Sequence, residues 1–89
     1  MKKNVAFPNF IFTMTDAVNH NPMTGLAPAV TINKDGGGYG ASVNSPATAI
    51  ANGNYSINWA AADLNANAVA VRITGVGADD LNFLIIIQT

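Results

Sequence analysis

Apolar and polar residues alternate along most of this chain with a period of two, the pattern of strands that lay one face on a core. Over residues 9–15, Phe10, Phe12 and Met14 fall on one side and Asn9, Ile11 and Thr13 on the other. Val30 and Ile32 alternate with Thr31 and Asn33, and Tyr39, Ala41 and Val43 with Gly40, Ser42 and Asn44. The clearest segment sets Tyr55, Ile57 and Trp59 against Asn54, Ser56 and Asn58, which makes that aromatic face the expected centre of the core. Val69, Val71 and Ile73 resume the period with Arg72 outside, and residues 82–88 supply the last strand.

Turn chemistry separates these segments. Residues 16–28 form a polar connection in which Thr24-Gly25 suits a backbone of positive φ, and residues 34–38 (KDGGG) form a hairpin loop. Residues 45–52 read as a second connection, with an apolar step at Ile50 and an Asn52-Gly53 turn at its end. Residues 60–64 break the alternation with helix formers and predict one helical turn that lets Leu64 close the end of the core, while residues 75–80 form the last loop. Strands every ten to fourteen residues with turns between them predict an all-β fold, a small Ig-like or prealbumin-like β-sandwich occupying residues 9–89. Lys2 and Lys3 before VAFPNFIFTM imitate a signal peptide, but Pro8 and Asn9 interrupt the apolar stretch and no small-x-small site follows. Residues 1–8 are therefore expected to be an extended N-terminal arm, with Pro8 resisting central-strand pairing.

Two strands break the inside/outside rule. In Phe83–Ile87 both faces are apolar, and Ile11 stands opposite Phe10 and Phe12. Either the chain covers both faces with its own loops, as in fully buried strands, or Leu84 and Ile86 face another protein. The second reading is favoured, because an uncharged LNFLIIIQT is also a template for edge pairing.

Charge sharpens this picture. Nine of the 89 residues are charged, none of them Glu, against about a quarter in an ordinary soluble domain. Four cations give no footprint for nucleic acid. A surface of Asn, Ser, Thr, Ala and Gly lets many copies pack with little repulsion, which predicts a homo-oligomer such as a trimer. Without cysteine there is neither a disulfide nor a thiolate metal site, and no apolar run approaches the ~20 residues that span a membrane.

Catalytic chemistry finds few candidates. His20 is the sole histidine and sits in a His-Asn-Pro turn, so it reads as a solvated loop residue. Asp79-Asp80 reads as a solvated turn, with a calcium site only if other oxygens converge. No GK[ST] follows the glycines at 36–38, which excludes a phosphate loop. Tyr55 and Trp59 share parity with Ile57 and belong in the core, leaving Tyr39 as the aromatic free to make an outside contact. The expectation is a non-enzyme with no cofactor and no metal, whose candidate interface residues are Ile11, Tyr39, Leu84 and Ile86.

The run TGLAPAVTINKDGGGYG (24–40) followed by GNYSINWAAADL (53–64) resembles a small β-sandwich module that recurs in tailed-phage virion proteins, and the likeness extends over roughly residues 10–89. The resemblance implies a structural virion protein, foremost a capsid decoration (cement) protein made in the host cytoplasm. Its partner would be the major capsid protein or neighbouring virion subunits. A tail, baseplate or fibre-base subunit is the nearest alternative, and a carbohydrate or host-surface binding module the next.

Overall fold

In the computed structural model, which describes residues 1–88, the alternating segments become seven strands: β1 Phe7–Thr13, β2 Ala29–Lys34, β3 Tyr39–Ala41, β4 Thr48–Ala51, β5 Asn54–Trp59, β6 Ala68–Thr74 and β7 Leu81–Ile86. A 3-10 turn, Ala61–Leu64, stands where the helix formers predicted one turn, and it places Leu64 fully inside. All pairings between strands are antiparallel and build two sheets, ordered β1-β5-β4 and β3-β2-β6-β7. The sheets face each other as a β-sandwich, the fold class that the alternation predicts.

The inward sets are those of the sequence pattern. Phe12, Met14, Val30, Ile32, Tyr55, Ile57, Trp59, Val69, Val71 and Ile73 are buried, with Ile85 and Ile87 of the last segment. Burying each large side chain stabilises the fold by about 1.5–3 kcal/mol. Phe10 stacks on Phe83 with centroids 5.6 Å apart and tilts against Trp59 at 5.7 Å, filling the space between the edge strands β1 and β7.

The two halves of the resembling motif meet inside the molecule. Tyr55 is 1% exposed, and its hydroxyl donates to the Met23 carbonyl at 2.6 Å while accepting the Leu26 N–H at 3.2 Å. Gly53, at φ 82°, passes so close to the same segment that a Cβ there would lie 2.7 Å from Pro22 Cβ. The irregular stretch 22–26 is thus pinned to the start of β5.

Two expectations about the chain's course are corrected. Residues 1–8 are not a free arm: Lys3 N–H donates to the Gln88 carbonyl, Gln88 N–H to the Met1 carbonyl and Asn4 N–H to the Leu64 carbonyl. Backbone bonding to this chain's own last segment outweighs solvation there, and β1 already begins at Phe7. Pro8 is accommodated because β1 is an edge strand with a register break between Phe7 and Phe10, where Asn9 takes φ 58° and its N–H donates to Asn58 Oδ1. Second, residues 45–52 are not all connection, since Thr48–Ala51 pairs with β5 as an exposed edge. The glycine hairpin stands between β2 and β3 as expected, and it is anchored at its base. The Asp35 carboxylate accepts the N–H groups of Asn67 and Ala68 at 3.0–3.2 Å, tying the loop to the start of β6.

Candidate functional site

Register decides which outward residues can act together. Residues directly opposite in an antiparallel ladder share a face. Tyr39 pairs with Asn33, Asn33 with Ala70, and Ala70 with Leu84, so these four form one row across the outer face of the four-stranded sheet. Ile86 follows in the next row, opposite Ala68. Tyr39 is 56% exposed, Leu84 60% and Ile86 67%, so the chain's own loops do not cover this face.

Alanines at 68 and 70 leave a low floor between these larger side chains. Asn33, in the middle of the row, is half-buried with an Oδ1 that finds no partner. Arg72, one row further, pairs with Asp80 at 2.9 Å.

Ile11 does not join them. It is 60% exposed but lies on the outer face of the other sheet, in a row with Ser56 and Thr48. The four candidate residues therefore divide into a three-residue group on one sheet and a single isoleucine on the opposite face.

Two apolar residues that sequence reasoning passed over are more exposed than any of these. Val18 and Val76 are 89% and 91% exposed, on loops joined where Ala17 N–H donates to the Gly77 carbonyl. Each sits in a polar, glycine- or asparagine-containing stretch. A large apolar residue at such a loop tip was the signal available.

The same loops hold the histidine and the acids. His20 Nδ1–H donates to Asp79 Oδ2 at 2.7 Å, and Thr15 Oγ1 donates to the same oxygen at 2.9 Å. The bond from His20 first, and that from Thr15 second, hold the Asp79 carboxyl below its ordinary value. His20 is a solvent-exposed loop residue as expected, and Asp79 is a loop clasp. Among the described residues no three histidine, cysteine or acidic side chains gather as a metal site.

Asp63 is the one buried acid among the described residues, at 3% exposure beside the 3-10 turn. Its carboxylate accepts the Ser42 hydroxyl at 2.7 Å and the Val43 N–H at 3.2–3.3 Å. It borders an open cleft of about 350 Å³ between the glycine hairpin and the 3-10 turn, but its oxygens are turned to the chain that follows β3. That arrangement is a structural clamp.

Aromatic residues complete the picture. Tyr55 and Trp59 are both 1% exposed, so they cannot form a platform for a sugar ring, and the exposed aromatics Tyr39 and Phe7 lie on different sheets. No helix of the described residues is long and apolar enough to cross a membrane. Comparison with models of known families, with curated proteins and with solved structures gives no match to this chain.

Proposed function

We propose that this chain is a structural protein of a tailed-phage particle, a capsid decoration protein that works by packing against the shell. The observation that carries the reading is the exposed apolar group of Leu84, Ile86 and Tyr39 on the outer face of the four-stranded sheet, in a sandwich with nine charged residues. Such a surface gains by being covered, and it carries few ions to desolvate on contact. The motif resemblance at residues 24–40 and 53–64 supplies the setting. Many weak contacts repeated over a symmetric shell would sum to firm attachment.

The Leu84→Asp/Ile86→Asp double variant tests the face. Both side chains point to solvent, so the variant is expected to melt like the parent and to lose binding to the shell. Equal binding by the folded variant rules this face out. Copy number in purified virions, by quantitative mass spectrometry against the major capsid protein, tests the setting. A ratio near unity supports shell decoration, a few per cent places the chain in the tail or fibre, and absence rejects the virion reading.

A further inference from the structure

A two-sheet sandwich exposes four strand edges, and here three of them are blunted. Edge β1 carries Pro8 and the bulge around Asn9, and just beyond its end the Thr15 carbonyl is taken by the Asp79 N–H at 2.8 Å. Edge β3 is three residues long, and the Val43 N–H beyond it is taken by Asp63. Edge β4 is four residues long with a register break between Ala49 and Ala51. Strand β7 has none of these guards: six residues, continuous register with β6, no proline, no glycine and no charge. Natural sheets ordinarily protect such an edge.

The free groups of β7 can be named. Ile87 N–H donates to the Asn67 carbonyl at 2.9 Å, so the odd-numbered residues turn their amides toward β6. Asn82, Leu84 and Ile86 turn theirs outward. Gln88, next in that series, already uses its outward groups on Met1 and Lys3. Pairing along this edge has begun and then stops, leaving three residues open.

We propose that a second copy of this chain completes the edge, β7 pairing antiparallel with β7 of the other copy about a two-fold axis at Leu84. In that register Leu84 exchanges both backbone bonds with its counterpart, and Asn82 and Ile86 exchange theirs with each other, about six bonds in all. The two four-stranded sheets become one of eight strands. A second copy is the fitting occupant because the open amides of Asn82, Leu84 and Ile86 are evenly spaced about Leu84, so an antiparallel copy sets each donor against an acceptor, and no like charges meet along the uncharged strand. The pairing concerns the isolated chain, and it stands or falls separately from the particle reading.

The chain has no cysteine, so single-cysteine variants report contacts cleanly. At the axis, Leu84→Cys brings two Cα atoms about 5.5 Å apart, inside the roughly 4.4–6.8 Å span that a disulfide bridges. Ile86→Cys faces Asn82 of the other copy instead, and Ile11→Cys lies on the far sheet. The expected result is that the parent dimerises between micromolar and near-millimolar concentration in sedimentation velocity. Under mild oxidant Leu84→Cys then cross-links about tenfold or more faster than the other two, as high effective concentration requires. Leu84→Lys is expected to stay folded and monomeric. Should Leu84→Cys misfold, the Asn82→Cys/Ile86→Cys double variant carries the same test, because each cysteine then faces its counterpart. A parent that is monomeric throughout the range, or cross-linking no faster at the axis than at Ile11 or Ile86, overturns the proposal.

Discussion

Replacing Tyr55 with Phe removes one oxygen atom from the centre of the molecule and leaves the ring in place. That oxygen makes two hydrogen bonds, to the Met23 carbonyl at 2.6 Å and from the Leu26 N–H at 3.2 Å. Each bond contributes about 1 kcal/mol net, and a buried backbone group left without a partner adds to the loss, so Tyr55→Phe should cost about 2–3 kcal/mol. For a domain of this size that lowers the melting temperature by about 10–20 °C. Thermal and urea unfolding followed by circular dichroism and by the fluorescence of Trp59 would measure it. Tyr39→Phe is the control, since that side chain is exposed, and it should change stability by less than about 0.5 kcal/mol. Amide exchange should localise the effect, with Leu26 losing protection before the amides of β5 and β6. A loss below about 0.5 kcal/mol for Tyr55→Phe would show that the 22–26 segment is held by packing alone, and would refute the role given to the hydroxyl.

Gly53→Ala should destabilise by about 3 kcal/mol in urea unfolding, because it adds left-handed strain at φ 82° to a clash with Pro22 and the Met23 amide. Asp63→Ala should cost about 2 kcal/mol in the same assay and expose the β2–β3 amides to exchange while β5 stays protected, since Ser42 and Val43 lose their shared acceptor. Asp79 should titrate below its ordinary 3.8 when its carboxyl carbon is followed by NMR, and His20→Ala should move that midpoint up. Because the folded value is the depressed one, the stability it contributes is present above the unfolded value near 4 and is lost as pH falls through the folded value. Asp79→Asn should therefore flatten the acid limb of the stability curve.

Strands with a buried face were legible because burial imposes a period on side chains. Tyr55, Ile57 and Trp59 announce β5, and Val69, Val71 and Ile73 announce β6, before any coordinate is known. Structure made by the backbone alone leaves no such trace. Residues 1–4 dock through main-chain bonds to Gln88 and Leu64, and Thr48–Ala51 is an exposed strand of mostly small residues, so neither segment alternates. The exposure of Leu84, Ile86 and Ile11 could be read from their parity. Their division between two sheets could not, nor could the row joining Tyr39 to Leu84, since both depend on which strands are neighbours. His20 and Asp79 are 59 residues apart in the chain, and only the meeting of two loops reveals that they touch.

The bridge between Lys2 and Gln88 brings the two ends of the described chain side by side at one pole of the sandwich. Val18, Val76 and the His20–Asp79 clasp lie on the loops at the other pole. A module with its two ends at one point can be spliced into a loop of a host protein like a bud on a stem, without stretching host or guest. Sequence grafted between Val18 and His20 or around Val76 would then be carried outward, away from the attachment point, making the fold a ready display scaffold.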